Sequence, residues 1–238
     1  MSTDRRDRGK KHWEIAATLG TEILSGERKP DSRIPSPEQM FKRFGVSRVV
    51  VREVVRTLVA KGLVTSRPRV GTKVSDPSTW NWLDPSVLEW RAQLGLDNLF
   101  LAQISQLRLA LEPAAASLAA ENRTENDLKV LKAAIKGMYR AGADHKKFSA
   151  ADRDFHTAVI VATHNPFFYS ANSATSVTIF QFLSLISAGA ENKVHLNSAA
   201  RHECILNAII ANDPRAAAYA MTQVIKDGLE HARAHLAD

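Results

Sequence analysis

Residues 34–74 constrain the fold of this chain more than any other segment, because local signals divide them into two helices and a hairpin. Ser36 and Pro37 supply an N-cap hydroxyl and a proline at the first helical position, where a missing N–H costs nothing. Gly45 lets the chain reverse direction, and Ser47 can cap the helix that follows. This order of signals predicts a helix, a tight turn and a second helix.

The second helix has an apolar face and a basic face. Its apolar residues recur at intervals of three and four positions: Val51, Val54, Val55 and Leu58. Three arginines spaced four residues apart lie on another face: Arg48, Arg52 and Arg56. Gly62 ends this helix, and residues 63–65 and 72–74 can then pair as a hairpin with a basic tip. The whole segment therefore predicts a winged helix-turn-helix with a small β-hairpin wing.

The chemistry that this arrangement favours is DNA binding. A recognition helix places its N-terminal residues at base edges in the major groove, where an arginine can bind guanine O6 and N7 or a phosphate. A solvated basic face on an ordinary small helical domain is the alternative, and the three arginines alone do not decide between the two. The capped turn, the glycine stop and the basic wing together favour DNA.

The positive charge of the chain is concentrated in its first third. Residues 1–76 hold 17 Lys and Arg against nine Asp and Glu, a net charge of +8, whereas residues 77–238 hold 15 against 16, a net charge of −1. A basic domain joined to a near-neutral one is expected when only one half of a protein contacts phosphate.

Length and composition limit the remaining possibilities. A chain of 238 residues has room for two domains, and 45% hydrophobic residues suffice for their cores. Cys204 is the single cysteine, which excludes an intramolecular disulfide and fits a reducing compartment. No apolar run approaches the ~20 residues of a membrane span, and the first residues are not a secretory signal. We therefore expect a cytoplasmic protein without a membrane partner.

A connector and a second, helical domain follow the basic segment. Residues 77–98 contain two prolines and three of the four tryptophans, a composition too apolar for a free linker. From residue 99 onward the apolar residues follow helical periodicity. We predict a mainly α protein in three parts: a winged helix-turn-helix over residues 1–76, a docked linker over 77–98, and an antiparallel α-helical bundle over 99–238.

The two halves resemble the two domains of a known family. The first resembles the DNA-binding domain of the GntR family, whose characteristic residues correspond to Pro35-Ser36, Gly45–Glu53, Gly62–Val64 and Gly71-Thr72. The second resembles the helical ligand-binding (FCD-type) domain of the FadR subfamily, through Asp152-x-x-Phe155-His156, Asn165-Pro166 and His202-x-x-Ile205-x-x-Ala208-Ile209. The connector is most similar to that of sugar-acid regulators. The resemblance covers nearly the whole chain and implies a ligand-responsive transcription factor that dimerises on operator DNA.

The resemblance also implies which residues contact DNA: Ser47, Arg48 and Arg52 at the recognition helix, and Arg67, Arg69, Gly71 and Thr72 at the wing. Three features depart from the family pattern. Pro37 stands where a glutamate is usual, and Glu38 corresponds to an arginine that touches DNA in part of the subfamily. The wing tip lacks the first glycine of the common Gly-x-Gly-Thr pattern. These departures leave the operator sequence open.

A candidate metal site lies in the second half. Asp152 and His156 are four residues apart, so both point from one face of a helix, and His202 would arrive from a later helix. The resemblance implies a fourth ligand, a histidine, at the position of Val224. An isolated Asp/His pair is more often a surface pair, so both interpretations stay open. Three protein ligands can still hold a divalent metal, with zinc the best fit to imidazoles and nickel or manganese as alternatives.

Arg108 is the candidate residue for binding an anionic effector. The resemblance implies an arginine facing the cavity at this position, and a guanidinium can hold a carboxylate in two places. A salt bridge to Glu112, at i+4 on the same helix, is the alternative. Asn172, Ser173 and Ser176 could contact sugar hydroxyls, although ordinary polarity of a helix surface is the stronger interpretation. Four further histidines are expected at the surface: His164, His195, His231 and His235.

Two classes of function must be compared. The first is a transcription factor, most simply a repressor, that responds to a small carboxylate such as a hexonate. The second is a metal-dependent enzyme that uses Asp152, His156 and His202 around a hydrolytic water. No general base, nucleophile or oxyanion-hole signal accompanies those residues, which favours the regulator. A metal sensor without an organic effector is a third alternative.

Overall fold

The chain divides into two units, residues 1–95 and residues 96–238. The computed structural model describes residues 3–68, 70–95, 97–171 and 192–237. The first unit contains helices α1 (Thr3–Leu24), α2 (Pro37–Phe44) and α3 (Arg48–Ala60), strands β1 (Val64–Arg67) and β2 (Gly71–Val74), a 3₁₀ turn (Pro77–Thr79) and helix α4 (Pro85–Gln93).

The turn between α2 and α3 forms as the local signals predict. Ser36 caps α2, its hydroxyl accepting from the Gln39 amide while the Gln39 side chain accepts from the Ser36 amide, a reciprocal capping box. Gly45 ends α2 in the left-handed region, with φ at 62°. Ser47 then caps α3 through the Val50 amide. These bonds satisfy backbone groups that would otherwise have no hydrogen-bond partner at each helix end.

The recognition helix α3 packs its apolar side into the core of the first unit. Its buried residues are Val50, Val51, Val54 and Leu58, while the predicted core residue Val55 is only partly buried. The largest fully buried side chains around them come from α1, α2 and the residue before β1: Leu19, Ile23, Met40 and Leu63. The face of α3 opposite this core is left to solvent.

Strands β1 and β2 pair antiparallel with Val64 opposite Val74 and Arg67 opposite Gly71. Val64 and Val74 are buried at the base of the hairpin, whereas the tip is exposed. Arg33 forms an additional bridge to Lys73 and so attaches the α1–α2 loop to β2. The wing is thereby held at its base and free at its tip.

The connector packs onto the first unit. Val87 and Trp90 of α4 belong to the same buried core as α1 and α3. Lys61, at the end of α3, is 5% exposed, and its Nζ lies 2.6 Å from Asp84 Oδ1, which also caps α4. Because burying an unpaired ammonium is costly, this ion pair ties the connector to the end of the recognition helix.

The second unit is a helical bundle. Its described helices are α5 (Asn98–Asn122), α6 (Glu125–Ala141), α7 (His145–Val161), α8 (Asn192–Ile210) and α9 (Pro214–Ala237), and residues 166–171 are also helical. Helix α5 packs along α9, α6 along α7, and α8 along α9. The large core side chains, fully buried, are Leu101, Leu131, Met138, Phe155, Ile205 and Ile209.

The architecture confirms the predicted fold class, a winged helix-turn-helix with a β-hairpin wing followed by a helical bundle. Helix α5 continues through Pro113 for more than two further turns. In the described part of the chain no helix is both long enough and apolar enough to span a membrane.

We predict that Gly62→Ala destabilises the first unit more than Gly45→Ala. Both glycines have positive φ, 72° and 62°, so alanine costs about 1–2 kcal/mol at either position. A Cβ at Gly62 would also overlap the Thr79 carbonyl oxygen, whereas a Cβ at Gly45 meets nothing within 4 Å. Urea unfolding should show an extra loss of about 1–3 kcal/mol for Gly62→Ala. Equal losses would mean that residues 77–79 do not pack here.

Candidate functional site

The N-terminal half of α3 presents a basic, exposed face. Ser47, Arg48 and Arg52 are all exposed, on the side of the helix opposite Val51 and Val54. Arg56, one turn further along, instead donates to Glu53, with Nη1 2.9 Å from Oε1. Arg48 and Arg52, near the start of α3, form no such ion pair with a carboxylate of α3 in the described part of the chain.

The wing offers a second basic surface. Arg67 is exposed at the end of β1, and Gly71 begins β2 with φ at 92°. Thr72 is partly exposed and its hydroxyl donates to Ser66 Oγ at 3.1 Å. Arg69 lies outside the described residues. The hairpin thus carries Arg67, Gly71 and Thr72 at or near its exposed tip.

Glu38 adds a negative charge close to this face. Its carboxylate accepts from the Ser36 hydroxyl at 2.9 Å. Hydrogen bonds from its own backbone amide and from Ser36, together with the nearby charge of Arg48, lower the pKa of Glu38 below its ordinary value. An exposed carboxylate beside an arginine makes this surface less uniformly basic than the arginine count suggests.

The second unit contains a buried cluster of charged and polar side chains. Arg108 and Glu112 come from α5, Asp152 and His156 from α7, and His202 from α8. Each of the five is at most 4% exposed. Three separate helices therefore contribute to one site, and each pair of residues on the same helix is spaced by four positions, so that both side chains face the same way.

The ligand atoms of Asp152, His156 and His202 all lie within 4.8 Å of one another. His202 Nε2 is 3.0 Å from Asp152 Oδ1 and 3.2 Å from His156 Nε2. Asp152 Oδ2 is buried and has no hydrogen-bond partner among the described residues. With metal–nitrogen distances of ~2.0–2.1 Å, two ligands of one ion stand about 3 Å apart, which matches this spacing.

The protonation of the two imidazoles follows from their other ring nitrogens. His202 Nδ1 lies 2.7 Å from the Ser198 carbonyl oxygen, which can only accept, so Nδ1 carries a proton. His156 Nδ1 lies 2.7 Å from Glu112 Oε2, and although it is not aligned for a hydrogen bond, only a protonated nitrogen is stable against a carboxylate. Both Nε2 lone pairs are consequently left facing each other and Asp152.

Such an arrangement favours a proton or a metal ion between the three groups. The lone pairs of His202 Nε2 and Asp152 Oδ1, 3.0 Å apart, and those of the two Nε2 atoms, 3.2 Å apart, repel one another unless a proton or a metal ion lies among them. Hydrogen bonds from the far ring nitrogens to a carbonyl or carboxylate are the usual support of metal-binding histidines. Phe155 packs edge-on against both imidazoles, with ring centroids 6.1 Å and 5.4 Å away, and restricts their orientation. The residues present therefore fit a divalent metal.

Arg108 borders this group and also forms the predicted pair with Glu112. Its Nε lies 2.7 Å from Glu112 Oε1 and its Nη2 lies 3.3 Å from Oε2. The same Nη2 is 3.5 Å from His156 Nε2. The salt bridge is thus present, but it is buried beside the imidazoles and is not a pair on the helix surface. The structure therefore contains the ion pair with Glu112, and the role of Arg108 in effector binding stays a prediction.

The charges of the cluster stabilise one another. Burial raises the pKa of Glu112, but the positive charge of Arg108 and the contact with His156 outweigh it and hold the pKa far below its ordinary value. Burial likewise raises the pKa of Asp152, and the interaction with His202 outweighs it. Burial lowers the pKa of Arg108, but the negative charge of Glu112 and its hydrogen bond raise it by more. The pKa of Arg108 therefore lies above its ordinary value. Both carboxylates are therefore ionised and the guanidinium is charged.

The structure also locates the other residues considered from the sequence. Val224 is partly buried and packs against the apolar core of the second unit. The expectation of a surface position is wrong for His195, which is 3% exposed, whereas His164 and His231 are exposed. Asn172, Ser173 and Ser176 lie outside the described residues. The sequence indicates Glu112 only as a partner of Arg108 on the helix surface, whereas its side chain faces His156.

Comparison with known proteins agrees with this pair of units. Residues 12–74 match the model of bacterial regulatory proteins of the gntR family, and residues 103–227 match the FCD domain. The chain belongs to the FCD-type GntR regulators. These proteins are DNA-binding transcriptional regulators and not enzymes.

Individual relatives support the same assignment. The galactonate operon transcriptional repressor of Escherichia coli K12 is 34% identical over 176 residues, which cover 74% of each chain. The transcriptional repressor NanR of Klebsiella aerogenes is 29% identical over 212 residues, covering 86% of this chain and 78% of the relative. The solved structure of Lar, which controls expression of the Listeria monocytogenes agr system, aligns with a TM-score of 0.64 at 19% identity, over 94% and 96% of the two chains, and shows the shared fold.

We predict that His156→Ala and His202→Ala each lower the zinc content of the purified protein, because each removes one of the three ligand atoms that lie together. His164→Ala is the matched control, since His164 is exposed and pairs with Asp127 away from the cluster. Inductively coupled plasma mass spectrometry after dialysis against equimolar zinc measures the content. If all three variants retain as much zinc as the wild type, the cluster is a polar site without metal.

Proposed function

We propose that this protein is a cytoplasmic, homodimeric repressor whose binding to operator DNA is modulated by a small carboxylate, most simply a sugar acid such as a hexonate. The observation that supports the proposal best is the buried group of Asp152, His156 and His202 beside Arg108. It combines a set of metal ligands with a guanidinium in a water-poor site. The effector and dimerisation domain would comprise residues 99–238.

Charge balance indicates what this site would accept. Imidazoles that bind a metal are uncharged, and with both carboxylates ionised and Arg108 positive the cluster would then carry a net charge of −1. A divalent cation would change this to +1, and a singly charged carboxylate would then bring it to zero. Because uncompensated buried charge is costly, the site is suited to a metal and one organic acid together.

Zinc is the metal that we propose first, since two imidazoles and a carboxylate are ligands it commonly takes, with nickel or manganese as alternatives. Asp152, His156 and His202 would hold it. Val224 leaves one fewer protein ligand than the family pattern implies. A bound metal would supply an open coordination position to the effector, and Arg108, within hydrogen-bonding range of the same space, would hold the second carboxylate oxygen.

The DNA-binding surface that we propose consists of the N-terminal face of α3 and the tip of the wing. Arg48 and Arg52 would reach base edges or phosphates in the major groove, with Ser47 at the helix start. The wing residues Arg67, Arg69, Gly71 and Thr72 would contact the backbone. A dimer reading a palindromic operator is the simplest assembly for such a domain.

The sugar-acid assignment draws support from the galactonate operon repressor, which resembles this chain over three quarters of both lengths. The enzyme alternative loses support because the family and its named relatives are transcriptional regulators. A metal sensor without an organic effector remains the second candidate, and the buried lone pairs of His156 and His202 are the observation that favours it.

A thermal-shift screen separates these two candidates. Hexonates, hexuronates and shorter carboxylates are each added with and without zinc, and a ligand at 100 times its Kd should add about 2.7 kcal/mol to the stability of the folded state. A rise with a sugar acid supports the proposal. A rise with metal alone, and with none of the acids, supports the metal sensor.

We predict that Arg52→Ala weakens operator binding by about 1–3 kcal/mol, the usual value of a bidentate arginine–guanine contact. Arg56→Ala is the matched control on the same helix, because Arg56 already pairs with Glu53 and should matter less. Fluorescence anisotropy with operator DNA at fixed salt measures both. Equal affinities for Arg52→Ala and the wild type would show that this face of α3 does not read the operator.

We predict that Arg108→Lys weakens effector binding by roughly tenfold or more, since lysine keeps the charge but lacks the planar fork, and a hydrogen bond to a charged group contributes ~1.5–3 kcal/mol. Operator binding without effector should hardly change. Isothermal titration calorimetry with the best acid of the screen tests the first point, and anisotropy the second. An unaltered effector response would assign Arg108 to the ion pair with Glu112 alone.

A further inference from the structure

His195 is a buried polar side chain with an unused acceptor. Its Nδ1 lies 2.8 Å from the Gly142 carbonyl oxygen. Because that oxygen can only accept, Nδ1 carries a proton and Nε2 is left with a lone pair. Nε2 is buried and has no hydrogen-bond partner in the part of the chain that the structure describes. Buried polar atoms are nearly always paired, so an unpaired one calls for an explanation.

Two contacts fix the orientation of this imidazole. Its ring stacks on Phe148 with centroids 4.4 Å apart and planes inclined by 7°. The bond to Gly142 then sets the rotation of the ring within its plane. A side chain held by stacking and by a hydrogen bond presents its remaining nitrogen in one direction, as a binding group must.

The position of His195 relates it to the buried cluster. His195 and His202 are seven residues apart on α8, which is two turns, so both project from the same face. Phe148 and Asp152 are four residues apart on α7, one turn, and share a face in the same way. The pair of His195 and Phe148 is therefore the next layer along the two helices that carry the candidate metal ligands.

We infer that His195 Nε2 forms the far end of the effector site and accepts a hydrogen bond from the terminal hydroxyl of a six-carbon sugar acid whose carboxylate is bound at the Arg108, His156 and His202 cluster. This inference rests on the proposed function. It specifies two properties that the proposed function leaves open: the length of the acid and the chemical group at its other end.

The dimensions agree with a six-carbon chain. Seven helical residues rise about 10.5 Å, so the Cα atoms of His195 and His202 lie about that far apart along α8. An extended six-carbon chain spans five bonds, or about 6 Å on the scale of ~3.3–3.6 Å for every three backbone bonds. A metal–oxygen or hydrogen-bond contact of about 2–3 Å at each end of the chain accounts for the remaining distance. A three-carbon acid bound at the cluster would fall short of His195.

The chemistry of Nε2 selects the group. A ring nitrogen with a lone pair accepts from an O–H and repels a carboxylate oxygen, so this end of the site suits a polyol and disfavours a second acid. A site built to bond a hydroxyl discriminates strongly against the analogue that lacks it, because the buried acceptor is then left unpaired.

The test is a titration calorimetry comparison of D-galactonate with D-fuconate, which is the same acid with hydrogen in place of the terminal hydroxyl, in the presence of zinc. Wild-type protein should bind galactonate at least tenfold more tightly. His195→Asn retains an amide near the Nδ1 position but removes the Nε2 acceptor, so it should bind the two acids equally. His195→Gln places an amide oxygen near Nε2 and should keep part of the discrimination.

His231→Asn is the matched control, because His231 is exposed and its Nδ1 bonds to a backbone carbonyl in the same way. It should discriminate as the wild type does. Equal affinity of the wild type for the two acids would overturn the inference without any variant. Full discrimination by a folded His195→Asn would also overturn it, and a buried water would then be the partner of Nε2 in the wild type. If the wild type binds neither acid, with or without zinc, the proposed function fails and the inference fails with it.

Discussion

The convergence of Asp152, His156 and His202 in one buried site is the constraint on which the chemistry of the second unit depends. His202 Nε2 lies 3.0 Å from Asp152 Oδ1 and 3.2 Å from His156 Nε2 in a site at most 3% exposed, and a shared proton or a bound metal ion makes that arrangement favourable. The surrounding bundle holds the groups there, since three helices supply them and Phe155 packs on both rings. A bound metal ion would compensate the close approach of these groups.

In the first unit the corresponding constraint is the buried ammonium of Lys61. It lies at the end of the recognition helix, pairs with Asp84 and stands within about 5.5 Å of the Trp13 and Trp90 ring centroids. Since a buried lysine must keep its partner, the connector cannot leave the domain without a large cost. The recognition helix is therefore anchored at its far end, while Arg48 and Arg52 stay exposed at the end that would enter the groove.

Local signals in the sequence were sufficient for most elements of the fold. The reciprocal cap at Ser36, the left-handed Gly45 and the cap at Ser47 each depend on a few neighbouring residues, and all three occur where the sequence predicts them. The grouping of Asp152 and His156 with His202 was suggested by helical spacing and by family resemblance. The sequence does not predict the burial of His195, because that burial depends on Gly142 and Phe148, which no local pattern connects to it.

The sequence by itself determined the basic first third, the helix-turn-helix with its wing and the helical character of the rest, because charge, caps and periodicity are properties of short stretches. Only the tertiary structure decided that Arg108 is both paired with Glu112 and buried beside the imidazoles, and that the connector is bound through Lys61. It also decided which ring nitrogens face each other. These features depend on the distances between helices that are far apart in the chain, and packing alone sets those distances.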